Sequence, residues 1–91
     1  MPRRVLVGAT GDDTPAAALA RRLRDEGLEV VYVGGRATVD AVAHAALAED
    51  VAEVLLVAAP DEVAQVADRT RELGLDDLVV TCTPAPEQPQ A

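Results

Sequence analysis

Residues 5–20, VLVGATGDDTPAAALA, join a short apolar run to a glycine-spaced loop and then to an alanine-rich segment. An unbroken run of Val and Leu is typical of a strand that is buried on both faces. Pro15 fits the first turn of a helix, with Thr14 or Asp13 as the N-cap. The stretch therefore predicts a strand, a loop and a helix, which is the repeating unit of a parallel sheet covered by helices.

Three further apolar runs and two further helical patterns follow in alternation. The four runs predict strands at residues 4–7, 29–33, 53–58 and 78–81, all Val-rich and expected to be buried on both faces. With right-handed crossovers, the expected strand order is 2-1-3-4. This is an α/β three-layer sandwich, similar to a flavodoxin-like (Rossmann-type) fold truncated after its fourth strand. The edge of that strand is expected to be unpaired, and such edges are often blunted or paired with another chain.

The helices are predicted from apolar residues at three- and four-residue intervals and from the signals at their ends. The first is expected to end at Gly27, the second to use Thr38 as its N-cap, and the third to run from Pro60 to Gly74. The residues expected to be buried are Leu19, Ala20 and Leu23 in the first helix, Val39, Val42, Ala43, Ala46 and Leu47 in the second, and Val63, Val66, Ala67, Thr70 and Leu73 in the third.

The composition limits both the core and the partners. The 91 residues contain no Phe or Trp, so one domain with a thin aliphatic core is expected at residues 1–83, before a disordered proline-rich tail at 84–91. A formal charge of −8 repels phosphate backbones and anionic lipid surfaces, so neither nucleic acid nor membrane is an expected partner. No signal peptide is visible, and a single cysteine forms no internal disulfide, so a cytoplasmic location is expected.

Ligands of such sheets bind beyond the carboxyl ends of the strands. A phosphate cradle is disfavoured, because Gly8 and Gly11 fit neither glycine-rich motif and the carboxylates of Asp12 and Asp13 lie where a phosphate would bind. The magnesium site of response-regulator receivers needs an aspartate after the third strand and a lysine after the fifth, and all eight basic residues here are arginine. Asp12 and Asp13 are instead expected to cap the first helix and to match the charge of its dipole.

Groups able to catalyse a reaction are few. His44, the single histidine, is expected to be half-exposed in the middle of the second helix, away from the ligand-binding end of the sheet. Cys82 is expected at that end as a semi-buried, unreactive thiol, because no histidine is near enough to activate it. Thr81 and Thr83 flank the thiol and offer hydroxyl groups to a small ligand. No catalytic residue and no metal ligand is predicted.

Four segments, in their order and spacing, resemble the cobalamin-binding domains of methylmalonyl-CoA mutase and of the related acyl-CoA and glutamate mutases. The segments are RVLVGATGDD, LRDEGLEVVYVGG, TVDAVAHAALAEDVAEVLLVAA and LGLDDLVVTC. The likeness covers roughly residues 3–83, and its most specific parts are residues 27–35 and 38–43. It implies a flavodoxin-like fold with a cobalamin site at the carboxyl ends of the strands.

Three elements of that family's site differ in this chain. The histidine of the D-x-H-x-x-G motif, which ligates cobalt, corresponds to Asp12 or Asp13 in a shorter loop, with Pro15 in place of the glycine. The S-x-L motif after the third strand corresponds to residues 58–60, Ala-Ala-Pro. The Gly-Gly pair after the fourth strand, which admits the nucleotide tail, corresponds to residues 82–83, Cys-Thr.

The resemblance and these differences imply a non-catalytic accessory or interaction domain derived from a cobalamin-binding domain. Its expected partners are further copies of itself in a homo-oligomer, or a mutase-like or biosynthetic enzyme. The alternative is a small-ligand carrier that binds cobalamin without a histidine ligand, or the small subunit of a cobalamin-dependent mutase. No cofactor is expected, although the resemblance allows cobalamin. The vestigial positions where it would bind are Gly11, Asp12, Asp13, Thr14, Ala58, Ala59, Thr81, Cys82 and Thr83.

Overall fold

The computed structural model describes residues 3–83, and the tail predicted at 84–91 lies outside the described residues. Strands and helices alternate as the sequence predicts, and each strand boundary lies within two residues of its expected position. The elements are β1 (Arg4–Ala9), α1 (Thr14–Asp25), β2 (Glu29–Gly34), α2 (Val39–Glu49), β3 (Glu53–Val57), α3 (Pro60–Glu72) and β4 (Val79–Cys82).

All strands are parallel, in the order β2-β1-β3-β4, so the predicted flavodoxin-like strand order is confirmed. The register is regular except between β1 and β2, where it shifts between Val7 and Gly8. At this shift the Val33 side chain fills the space that a Cβ on Gly8 would need. Glycine at position 8 therefore lets β2 pack against the irregular end of β1.

The sheet separates two apolar clusters. On one face α2 and α3 pack over Leu6, Val54 and Leu56. On the other face α1 is the only described helix, and it packs over Val5 and Val7. The prediction that every strand is buried on both faces is wrong for β2 and β4, because they are the edge strands of the sheet and most of their residues are partly exposed.

The buried faces of the helices are as predicted, with one clear exception. Leu47 was expected in the core, but 44% of its surface is exposed. Val42, Ala43 and Ala46 form the buried face of α2, and at 3.6 residues per turn Leu47 lies about a quarter of a turn beyond the centre of that face. Other predicted positions, among them Val39, Ala67 and Leu73, are half-buried.

The helix ends agree with the sequence signals except at the start of α1. The Thr38 side chain accepts a hydrogen bond from the Ala41 N–H at 3.0 Å, so the predicted cap of α2 is confirmed. Gly27 and Gly74 follow α1 and α3 with φ of 95° and 91°, as left-handed glycines do at helix ends. Asp13 occupies the N-cap position of α1, but its side chain makes no capping hydrogen bond.

The physical reason lies in the backbone of Asp13. Its φ of −86° and ψ of −9° are near helical, whereas a capping residue has extended backbone that turns its side chain back to the first N–H groups. The expectation that Asp13 caps α1 through its side chain is therefore wrong.

None of the helices within residues 3–83 is both long enough and apolar enough to cross a lipid bilayer.

Truncation of the core in the central strand is expected to destabilise the fold. Leu6 is fully buried in the cluster under α2 and α3. Leu6→Ala is expected to lower the free energy of unfolding by about 2–5 kcal/mol, since it removes buried apolar surface and leaves a cavity. Leu47→Ala is the control, expected to cost about 0.5 kcal/mol or less because Leu47 is largely exposed. Urea unfolding measures both, and equal losses would contradict this packing.

Candidate functional site

The carboxyl ends of the parallel strands meet along one edge of the domain, which we call the rim. It comprises residues 10–13 after β1, residues 35–38 after β2, residues 58–59 after β3, and the end of β4 with Thr83. The nine positions predicted for a ligand lie in three separate segments at this end of the sheet. Gly11, Asp12 and Asp13 follow β1, Thr14 opens α1, Ala58 and Ala59 join β3 to α3, and Thr81, Cys82 and Thr83 are in or just after β4.

The loops after β1 and β2 are tied together by their backbones. The Arg36 N–H donates to the Gly11 carbonyl at 2.7 Å, and the Ala37 N–H donates to the Ala9 carbonyl at 2.9 Å. A Cβ on Gly35 would lie 2.6 Å from the Asp13 Cβ and 2.8 Å from the Gly11 oxygen. These distances are below normal contact, so the two loops approach this closely only because position 35 is glycine.

A small polar cleft of about 310 Å³ lies where these two loops meet. Its lining contains two carboxylates and one guanidinium, from Asp12, Asp13 and Arg36, beside Gly35. Arg36 has a φ of 54°, in the left-handed region that residues other than glycine seldom adopt. Within residues 3–83 it takes part in none of the ion pairs, so its charge and the two carboxylates face solvent.

Gly35 and Arg36 were not among the predicted site residues. The sequence signal that points to them is the pair of glycines at residues 34–35, directly after a predicted strand. Gly34 has a φ of 82°, a backbone conformation that favours glycine. Gly35 lies so close to Asp13 and Gly11 that a side chain would not fit. The need for glycine at position 35 is visible only in the structure, because it depends on the loop after β1 lying against this residue.

Tyr32 couples β2 to the start of α1. Its hydroxyl donates a long hydrogen bond, 3.4 Å, to the carbonyl oxygen of Asp13. Partial desolvation of the phenol, together with the negative charge of Asp13, raises the pKa of Tyr32 above its usual value of 10. On the other side of the loop, the Thr14 hydroxyl donates to Asp12 Oδ1 at 3.4 Å. The Asp12 carboxylate thus interacts with the Thr14 hydroxyl, and the Asp13 side chain makes no capping hydrogen bond to α1.

The start of α3 is held by a carboxylate. Glu62 Oε1 accepts a hydrogen bond from the Thr10 hydroxyl at 2.8 Å and another from the Ala59 N–H at 3.4 Å. Glu62 therefore satisfies an N–H group at this helix start and ties it to the end of β1. Negative charge at this position also interacts favourably with the helix dipole.

The ends of β3 and β4 are joined by hydrogen bonds. The Thr83 N–H donates to the Leu56 carbonyl at 2.9 Å, and the Cys82 thiol donates to the Ala58 carbonyl at 3.5 Å. Cys82 is exposed, so the expectation of a semi-buried thiol is wrong; β4 is an edge strand with no described neighbour beyond it. The Thr81 hydroxyl donates to Glu53 Oε2 at 3.3 Å instead of pointing to the rim.

The remaining titratable groups do not converge on the rim. His44 is exposed on α2, as predicted, with Nδ1 2.8 Å from the Asp40 carbonyl oxygen. Across residues 3–83, no three histidine, cysteine or carboxylate side chains come together in a way that could hold a metal ion. At the rim, the Thr10 hydroxyl donates to the Glu62 carboxylate, and the cleft beside Asp12, Asp13 and Arg36 carries charges of both signs.

No protein-family model and no curated protein matches the chain. The resemblance to cobalamin-binding domains thus remains a prediction from the sequence motifs, carried by the order and spacing of the four segments.

Replacing Gly35 is expected to separate the two rim loops. Gly35→Ala places a methyl group against the Asp13 and Gly11 backbones, at a cost of about 1–3 kcal/mol in the free energy of unfolding. Gly11→Ala is the matched control, because a Cβ there meets no atom within 4 Å. Chemical unfolding of both variants measures the difference, and an unchanged stability of Gly35→Ala would contradict the loop contact.

Ionisation of Tyr32 is expected above the usual tyrosine pKa. The folded state favours the neutral phenol, so this contribution to stability is complete below pH 10 and is lost as the pH rises through the higher folded pKa. Tyr32 is the only tyrosine and the chain has no tryptophan, so alkaline absorbance titration reports it alone. Asp13→Asn is expected to lower the pKa of Tyr32, because it removes the nearby negative charge. Asp25→Asn is the control and is expected to leave the pKa of Tyr32 unchanged.

Proposed function

We propose that the chain is a non-catalytic accessory or interaction domain, derived from a cobalamin-binding domain whose scaffold persists and whose cofactor site has been lost. The observation that carries this is the close approach of the loops after β1 and β2. Gly35 lies against Asp13 and Gly11, which brings the two loops together at the part of the rim where a corrin ring would have to rest.

The donor atoms at the rim do not fit cobalt. The resemblance implies an imidazole ligand in the loop after β1, and that loop carries Asp12 and Asp13 instead. The only imidazole of the chain, on His44, interacts with the Asp40 carbonyl on α2. The cleft beside the two aspartates measures about 310 Å³, at the lower end of the roughly 300–1,000 Å³ typical for drug-sized ligands, and cobalamin is larger than these.

The path of a nucleotide tail is also filled. In the related family a Gly-Gly pair leaves room after the fourth strand, whereas here Cys82 and Thr83 carry side chains. The Cys82 thiol reaches the Ala58 carbonyl, and the Thr83 N–H reaches the Leu56 carbonyl. The Thr83 bond is regular strand pairing, so it is the side chains of Cys82 and Thr83, which a Gly-Gly pair would lack, that support the loss of the tail's path.

An interaction role accounts for the apolar surface that the fold leaves uncovered. Val79 on β4 is 49% exposed. Its side chain lies on the face of the sheet that α1 covers, and α1 is the only described helix on that face. A core of small side chains gains little from burial within one chain, so a partner adds stability. The partner is a further copy of this chain or an enzyme of the mutase-like or biosynthetic class, in a cytoplasmic setting.

A second candidate, a small-ligand carrier, is favoured by the charges of the cleft. Arg36 opposite Asp12 and Asp13 offers a cation and two carboxylates within one small concavity. Such a site suits a compact ligand that carries both a positive and a negative group. Addition of free amino acids is expected to shift the amide resonances of residues 11–13 and 35–36 if the chain is such a carrier.

Titration with hydroxocobalamin and cyanocobalamin tests the proposed function. We expect no saturable change in the cobalamin absorbance spectrum and no binding heat up to high micromolar ligand, because the rim has neither an imidazole nor space for the tail. Free imidazole added to the same hydroxocobalamin solution is the positive control for nitrogen ligation. A saturable spectral change with the protein would overturn the proposal and support the carrier of cobalamin.

A further inference from the structure

The two edges of the sheet are protected very differently. At the β2 edge, the register shift breaks the regular strand and the Arg24 guanidinium donates to the Val30 carbonyl at 3.5 Å. The β4 edge, Val79–Cys82, has neither a bulge nor a charged residue nor a proline within it. Bulges, charged residues and prolines are devices that stop a sheet edge from pairing with another chain, and β4 lacks these three; its short length, four residues, limits the pairing to a few hydrogen bonds.

The outward hydrogen-bonding groups of β4 follow from its pairing with β3. The Thr83 N–H donates inward to the Leu56 carbonyl. In a parallel strand alternate residues direct their backbone groups to opposite sides, so Thr81 and Val79 also point toward β3. The N–H and C=O groups of Val80 and Cys82 therefore point away from β3, toward the side of β4 where residues 3–83 place no further strand.

We propose that the β4 edge pairs with the β4 edge of a second copy of the chain, antiparallel, about a two-fold axis that passes through Thr81. This pairing rests on the proposed interaction function and specifies its partner and surface. In this register Val80 lies opposite the second copy's Cys82, and both residues of each strand use their N–H and C=O groups. The two chains are then joined by about four hydrogen bonds into one continuous eight-stranded sheet.

Other antiparallel registers leave an outward group unpaired. An axis through Cys82 sets Val80 opposite Pro84, which has no N–H to give to the Val80 carbonyl. An axis through Val80 sets Cys82 opposite Leu78, whose N–H donates to the Leu75 carbonyl at 3.4 Å. The register centred on Thr81 is the one of these three that satisfies all the outward groups of Val80 and Cys82.

The distribution of charge favours the antiparallel direction. Asp76 and Asp77 lie just before β4, so a parallel pairing sets the two acidic pairs side by side, where they repel. The antiparallel pairing carries them to opposite ends of the interface. It also places Val79, one of the two large apolar residues exposed within residues 3–83, opposite the second copy's Thr83 on the same face of the sheet.

The helix beside β4 can enlarge the contact. Arg69 of α3 pairs with Asp40 of α2 at 2.9 Å, which fixes the side of α3 that faces α2. At 3.6 residues per turn, Ala64 and Ala67 lie on roughly the other side of α3, above the β4 edge. Such small side chains let the second copy's α3 approach. The surface buried between the two α3 helices adds to the surface buried by the strand pair, and a specific interface needs roughly 1,000 Å² in total.

Cysteine cross-linking tests the register. Thr81→Cys in a Cys82→Ser background sets two thiols across the axis at a non-hydrogen-bonded position, where Cα atoms are about 4.5 Å apart, within disulfide range. Val79→Cys in the same background is the matched control. It lies on the same strand and face and is the more exposed residue, but the two Cα atoms are more than about 13 Å apart across the dimer.

We expect the Thr81→Cys chain to form a covalent dimer at least tenfold faster than the Val79→Cys chain under mild oxidation. The wild-type Cys82 is expected to cross-link slowly as well, because the two Cys82 Cα atoms are roughly 8–9 Å apart in this register. Equal rates for the two variants would show random collision between thiols and would overturn the pairing.

Light scattering after gel filtration tests the association itself. The full chain is expected to be a dimer at high concentration, and Cys82→Pro is expected to weaken dimerisation by about tenfold or more, because it removes one donor from each strand. Cys82→Ser is the control, and its backbone donor is intact. A wild-type chain that remains monomeric at the highest concentration overturns the pairing. A Cys82→Pro chain that is folded by circular dichroism and dimerises as strongly as the wild type also overturns it.

The two sets of experiments fail independently. Cobalamin binding by a dimer whose Thr81→Cys variant cross-links overturns the proposed function and supports the pairing. A monomer that binds no cobalamin overturns the pairing and keeps the proposed function with another partner. If Cys82→Pro does not fold, the comparison of Thr81→Cys with Val79→Cys decides the outcome.

Discussion

The burial of β1 on both faces is the constraint on which the rest of the structure depends. Val5 and Val7 contribute to the cluster under α1, and Leu6 contributes to the cluster under α2 and α3. A strand in this position must pair on both sides, with β2 and β3, because its backbone groups are out of reach of water. Both pairings bring the loop after β1 to the centre of the rim.

The rim follows from that central position. The loop after β1 is flanked by the loop after β2 and by the start of α3, and it bonds to both: Arg36 donates to Gly11, and Thr10 donates to Glu62. Polar groups that would face a ligand in an open site are thus used between the loops. What stays open is a small cleft with opposite charges, and its size is set by the contact at Gly35.

The uneven cover of the sheet has the same origin. Within residues 3–83, two helices cover one face of the sheet and α1 alone covers the other, so Leu55 and Val57 on β3 are half-buried and Val79 on β4 is 49% exposed. Small aliphatic side chains bury little area each, and a face without a second helix gains still less. The exposed strand edge and this half-covered face adjoin one another, which concentrates the available interaction surface at β4.

The sequence by itself determined the fold class, the strand order and most helix ends, because these depend on local periodicity and on end signals such as Thr38 and Gly27. It also indicated that the positions predicted for a ligand share one end of the sheet, since the carboxyl ends of parallel strands must meet. It failed for Leu47 and for the thiol of Cys82, because the exposure of a side chain depends on how neighbouring elements are arranged in space. The apolar periodicity of α2 does not show where its covered face ends.

Only the tertiary structure decided the shape of the rim. The role of Gly35 arises from the backbone of Asp13, more than twenty residues earlier in the chain, and no local signal contains that distance. The near-helical backbone angles at Asp13, which leave its side chain without a capping hydrogen bond, are likewise absent from any local sequence signal. Local sequence fixes what each segment can form, whereas contacts between distant segments fix the space that remains between them.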